Sequence, residues 1–147
     1  MAEDLRVERH GDVAHVVLDR PEKRNAFDDE LAGRMAAAFR ELAKDTDLRA
    51  VVLAGEGKAF CAGGDLAWMR RVAAYSMDEN LADARGFQEA FEAIDRHPVP
   101  VIARVQGAAM GGGAGLVAAV DIAIAAEETA FAFPEVRLGL VPGVIAP

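Results

Sequence analysis

The chain has 147 residues and a formal net charge of −8, with 52% hydrophobic and 27% charged residues. That balance describes one globular domain with a core and excludes a disordered chain. The sixteen Lys and Arg residues are scattered, so there is no basic face for nucleic acid, and an anionic ligand must be met by local groups.

A single cysteine, Cys61, excludes an intrachain disulfide and fits a reducing cytoplasm. Residues 1–12 are charged and lack the apolar core of a signal peptide. The most apolar stretch, Gly107 to Val120, is rich in glycine, is closed by Asp121, and is too short to span a bilayer. A soluble cytoplasmic protein with no membrane or nucleic-acid partner is expected.

In chain order, Leu5 to Glu8 and Val13 to Leu18 read as a hairpin of strands joined at His10, Gly11 and Asp12. The polar loop Arg20 to Asn25 follows, with Pro21 ending the strand. Phe27, Leu31, Met35, Phe39 and Leu42 recur at steps of three and four and predict a helix over Asp28 to Lys44. Ala50 to Ala54 is a buried-strand candidate, and Asp65 to Arg71 looks helical with Asp65 as its N-cap. Ser76 to Glu79 fits a capping box for a second long helix, which carries Leu81, Ala84, Phe87, Phe91 and Ile94 and stops at His97 and Pro98. Then come a strand from Val101 to Val105, a glycine cluster, a helix through Val120, and a strand from Ile122 to Ala125. Strands alternating with helices predict an α/β domain with largely parallel strands.

Two glycine-bearing segments stand where a strand gives way to a helix: Phe60 to Leu66 and Gly107 to Gly115. Backbone N–H groups are free at such places, and glycine lets a ligand approach closely. Two of them converging on one oxygen would form an oxyanion hole. For either segment alone, tight turns and close helix packing are the simpler account. A third reading takes Gly113, Gly115 and Ala118 as a dinucleotide fingerprint with Glu135 as its ribose acid, although Gln106 to Gly112 intervene after the strand.

The segments Arg20 to Ala26, Gly57 to Leu66, Val105 to Gly113, Asp121 to Ala125 and Phe133 to Gly143 stand together in an order and spacing that resembles the enoyl-CoA hydratase/isomerase (crotonase) family. The resemblance runs from the first strand to the last residue. It implies a spiral of ββα units assembled as trimers or pairs of trimers, acting on acyl-CoA. Coenzyme A then enters as part of the substrate, and no metal or redox cofactor is implied. The resemblance puts the oxyanion hole on the backbone N–H groups of Gly64 and Gly112. It lays Lys23, Arg24 and Ala26, with Ala62, Asp65 and Leu66, along the coenzyme. Family members continue into a further helical segment, and the apolar ending from Leu138 to Pro147, without a polar tail, reads as a chain cut short.

Hydratases of that family use two glutamates. The second falls on Glu135, between Phe133, Pro134 and Val136 and near Phe131, a surrounding expected to bury it; the first falls on Gly115, which has no acid–base group. Hydration of a 2-enoyl-CoA is the expected reaction, with 3-enoyl to 2-enoyl isomerisation as the alternative. A non-catalytic module that binds CoA thioesters is the alternative of another class. Gly115, with Asp65 to Met69, resembles the branch that hydrates methylglutaconyl-like substrates, and a small residue at position 115 is expected to leave room for a branched acyl group. Cys61 reads as a small buried residue, and Trp68 and Met69 as lining of the pocket or core. His10, His15 and His97 have no metal-ligand spacing. The only serine, Ser76, is spent on a cap, which excludes serine-nucleophile chemistry.

Overall fold

The computed structural model describes residues 4–143 and 145. The start of the chain (1–3) and part of its apolar ending (144, 146 and 147) therefore lie outside the described residues.

The hairpin forms as expected, with β1 (Leu5–His10) antiparallel to β2 (Val13–Leu18) and Leu5 opposite Leu18. A 3-10 turn at Pro21–Lys23 leads to α1 (Asp29–Leu42), whose N-cap Asp28 accepts from the Leu31 N–H at 3.0 Å. Next come β3 (Ala50–Gly55), α2 (Leu66–Val72) and α3 (Met77–Asp95), the last opened by the Ser76/Glu79 capping box. Strand β4 (Val101–Val105) follows, then β5 (Ala108–Met110), α4 (Gly112–Ala118), β6 (Ile122–Ala125) and β7 (Ala130–Ala132). A 3-10 turn at Pro134–Leu138 closes the described chain.

Five strands form one sheet in the order β1-β2-β3-β4-β6, parallel except for β1, while β5 and β7 pair in parallel as a separate two-stranded sheet. The register aligns Ala14, Val51 and Val101, and beside them Val16, Leu53 and Ala103, on one face. All six are fully buried, in one core with Leu31, Met35 and Phe39 of α1 and Phe87 and Ile94 of α3. The alternation of strand residues drives this burial. On the opposite face Val52 and Ile102 are half-buried, and Ile122 and Ile124 are exposed.

Sequence patterning missed the small sheet. Strands β5 and β7 have three residues each, too few for an alternation to show. The apolar stripe of α3 also proved shorter than its pattern. Leu81 is 48% exposed and Ala84 is exposed, whereas Phe87, Ala90 and Ile94 are buried, because only the second half of the helix packs into the core. No described helix is long and apolar enough to cross a membrane.

Candidate active site

Two peptide hydrogen bonds bring the two glycine segments together. The Cys61 N–H donates to Ala108 O at 3.0 Å, and the Met110 N–H donates back to Cys61 O at 3.0 Å, extending the small sheet toward the first loop. A Cβ placed on Gly63 would lie 3.5 Å from the Gly112 nitrogen and 2.8 Å from Met110 O, so the loops touch where glycine removes the side chain. The first loop also clasps Phe27: the Phe27 N–H donates to Gly63 O and the Asp65 N–H to Phe27 O, each at 2.9 Å. Gly64 lies between those bonds. Its N–H and that of Gly112, the first residue of α4, have no hydrogen-bond partner among the described residues.

Both glycines line one cavity of about 470 Å³, with Phe27, Trp68, Met69 and Phe87 as apolar wall and Glu135 as the only carboxylate among its described lining residues. Phe27, Phe87 and Trp68 stack in series, with centroids 5.4 and 4.7 Å apart. Trp68 and Met69 thus line the pocket, one of the two roles expected of them. Phe27 and Phe87 read in the sequence only as helix-face residues, and nothing in the pattern marked them as pocket wall.

Glu135 enters from the final 3-10 turn. Gly111 has φ of 50° and carries no side chain, which lets the carboxylate lie against its Cα; a Cβ there would overlap Oε1 and stand 3.2 Å from the carboxyl carbon. The Gly111 N–H donates to Ala132 O at 2.8 Å and ties the two segments. Oε2 of Glu135 is buried and has no partner among the described residues. The expected apolar jacket is not what buries it. Phe131, Phe133 and Val136 are themselves 50%, 56% and 73% exposed. The shelter comes instead from Gly111 and the cavity.

Gly115 faces no open space. A Cβ there would run into Ile145 and come within 3.2 Å of Phe91. The room expected for a branched acyl group is filled by these two side chains, and Gly115 is not among the cavity's lining residues. The dinucleotide reading also fails on position. Gly113 and Gly115 lie inside α4, and β5 occupies the gap where the fingerprint needs a direct strand-to-helix turn.

The residues assigned to the coenzyme cluster beside the first loop. The Ala62 N–H donates to Arg24 O at 2.9 Å, Ala26 is half-buried, and Lys23, Arg24 and Leu66 are exposed. Asp65 differs, being 6% exposed with its carboxylate turned inward to the α2 N-terminus, Arg20 and Lys23. Cys61 is fully buried; burial pushes its thiol up to about 12, against a smaller opposing pull from the Gly63 N–H at 3.4 Å. It is a packing residue, as expected.

The fold and cavity define a class: an α/β core that offers two unpartnered peptide N–H groups and one carboxylate to a shared apolar pocket. Residues 8–146 match the family described as Enoyl-CoA hydratase/isomerase, and the chain belongs to that family. It is 39% identical to the Delta(3,5)-Delta(2,4)-dienoyl-CoA isomerase, mitochondrial, of Homo sapiens, over 97% of this chain and 46% of that protein. It is equally 39% identical to the Carnitinyl-CoA dehydratase of Salmonella enteritidis, over 97% of this chain and 53% of that one. Among solved structures, an enoyl-CoA hydratase from Shewanella pealeana superposes with a TM-score of 0.95 at 41% identity, over 99% of this chain and 55% of that chain. The chain spans about half the length of the relatives it matches.

Proposed function

We propose that this chain carries the site that hydrates a 2-enoyl-CoA through a thioester enolate. The observation that carries the reading is the unpartnered Oε2 of Glu135, buried beside a cavity that Gly64 and Gly112 also line. A buried carboxylate oxygen without a donor is costly, and a bound water would supply the donor. In this mechanism the thioester oxygen accepts hydrogen bonds from the Gly64 and Gly112 N–H groups. Glu135 takes a proton from water as the water oxygen bonds to C3. The C2–C3 π pair moves into the thioester as an enolate, whose charge the two N–H groups stabilise. Glu135 then returns the proton to C2, so one carboxylate serves both steps.

A second reading is favoured by Gly115, which supplies no second acid–base group. In it Glu135 removes a proton from C2 of a 3-enoyl-CoA and returns it at C4, through a thioester dienolate whose oxygen the same two N–H groups would hold. That the human relative's name is that of a dienoyl-CoA isomerase and the Salmonella one's that of a dehydratase fits both readings. Assembly into a trimer or pair of trimers belongs to the same proposal, supported by the exposed apolar side chains of Ile122, Ile124 and Phe131, as does a cytoplasmic location, supported by the lone free thiol of Cys61.

Proton NMR in deuterated water tests it, with a straight 2-enoyl-CoA, a branched 2-enoyl-CoA and a 3-enoyl-CoA offered to wild type and Glu135→Gln. Water addition to a 2-enoyl substrate, lost in the variant, supports hydration. Double-bond migration without water addition makes the chain an isomerase. Binding with no turnover leaves a non-catalytic thioester-binding module.

A further inference from the structure

Arg20 leaves β2 with its side chain buried. Its guanidinium donates to Ala26 O at 2.9 Å, to Asp28 at 3.0 Å and to Asp65 at 3.3 Å. Asp28 caps α1 and Asp65 caps α2, so one buried cation fastens the start of both helices. Asp65 uses its oxygens separately. Oδ1 accepts from the Ala67 N–H at 2.7 Å and, more weakly, the Trp68 N–H at 3.4 Å; Oδ2 accepts from Arg20 and from Lys23 Nζ at 3.0 Å. Burial alone would raise this carboxyl, but Lys23 and the two amides outweigh it and hold the group below its ordinary value. A charged Asp65 is therefore the resting state near neutral pH.

The two ends of this network differ in exposure. The Lys23 side chain is 47% exposed, against 7% for Asp65. Lys23 and the exposed Arg24 stand on the loop that holds Ala62 beside the glycine pair. On a chain with net charge −8, they are local cations that an anionic ligand can meet at that mouth. At the other end Asp65 is peptide-bonded to Gly64, inside the clasp around Phe27.

We propose that Asp65 is a positioning residue that couples capture of the coenzyme's phosphates by Lys23 to the setting of the Gly64 N–H. This rests on the acyl-CoA reading above. A phosphate at Lys23 competes with Oδ2 for the ammonium and shifts the carboxylate toward Arg20; that shift is passed to Gly64 through one peptide unit. Binding energy from the far end of the substrate is thereby used at the reacting carbonyl.

Trp68, the only tryptophan, reports on the coupling without any turnover. Its N–H is capped by Asp65, and its ring lies 3.0 Å from where a Gly64 Cβ would stand. Adenosine 3′,5′-bisphosphate, the nucleotide end of coenzyme A without its thiol arm, is titrated into wild type, Asp65→Asn and Lys23→Gln. Calorimetry reads binding while Trp68 emission is followed. The expected result is binding with an emission change in wild type. In Asp65→Asn, which keeps a capping oxygen, binding persists and the emission change is lost. Lys23→Gln loses binding. In steady state, Asp65→Asn lowers kcat on an acyl-CoA by a larger factor than on the same acyl group carried by N-acetylcysteamine. An equal fall on both substrates, or an emission change that survives in Asp65→Asn, overturns the coupling. Nucleotide binding that leaves wild-type Trp68 unaffected overturns the coupling alone and spares the acyl-CoA reading, whereas no binding and no turnover in wild type overturns both.

Discussion

Gly64 lies in a loop fastened by buried polar groups, whereas Glu135, across the same cavity, rides on a segment whose apolar neighbours face outward. Around the first wall, Asn25 is fully buried, accepts from the Arg20 N–H at 2.9 Å and donates to Ala59 O at 2.8 Å. Arg20 and Asp65 are buried beside it. Around the second, Phe131, Phe133, Val136, Leu138 and Val141 are each at least half exposed. The Gly64 wall, to which the proposed mechanism assigns charge stabilisation, is built into the core. The Glu135 wall, to which it assigns proton transfer, is held by one close approach to Gly111 and a few peptide hydrogen bonds. On that reading stability and catalysis separate, and variants on the two walls fail in different ways.

The largest effect is expected on the second wall. Glu135→Gln removes the proton carrier and lowers turnover by roughly 10²- to 10⁴-fold, while the urea midpoint stays close to wild type. A large loss of stability would mean that Glu135 is structural and that the walls do not differ. Arg20→Met does the reverse: it removes the buried cation shared by Asp28 and Asp65, which keep only their capping amides and, for Asp65, Lys23, and it costs about 1–3 kcal/mol in urea unfolding. Gly115→Ala tests the filled space, since its new methyl meets Ile145 and Phe91. The expected cost is about 1–3 kcal/mol of overpacking, relieved in part by adding Ile145→Ala. No cost would mean that Ile145 is not held there.

A smaller effect concerns acid. The folded-state pKa of Asp65 is depressed, so its contribution is present above the ordinary value of 3.8 and is lost as pH falls through the folded value. Stability of wild type, followed by urea unfolding between pH 5 and 2.5 as about the range in which an aspartate titrates, falls more steeply than that of Asp65→Asn. Parallel curves would remove the ion pairs from the account. Smallest in energy is the thiol. Burial holds Cys61 as the thiol, so iodoacetamide at mildly alkaline pH labels it only when the first loop opens, and labelling keeps pace with global unfolding. Fast labelling of the native protein would show the first wall to be loose.

Much of this was legible in residue order. The periodicity of α1, the Ser76 capping box and the Asp65 cap are local signals that the structure carries, whereas α3 keeps only the second half of its apolar stripe. The two glycine segments were legible as strand-to-helix transitions, and the family resemblance, rather than the glycines themselves, singled out Gly64 and Gly112. Arg20 was not legible: a buried arginine looks like any loop arginine until the carboxylates at positions 28 and 65 are brought around it. Phe27 and Phe87 carried helix-face signals and gave no hint that one side of each ring would front a cavity.

Composition, periodicity and capping determined by themselves that this is an α/β domain and where its longer helices and strands lie, while the resemblance carried by the motif order pointed to Gly64, Gly112 and Glu135. The elements depend on neighbours a few positions apart, where side-chain spacing and capping act directly. Tertiary structure alone decided that Glu135 is sheltered by Gly111 rather than by its phenylalanines, that Ile145 fills the space at Gly115, and that Arg20 binds two helix caps at once. Each depends on contact between segments separated by roughly 10 to 45 positions, and sequence spacing carries no information about which side chains such contacts will leave facing the cavity.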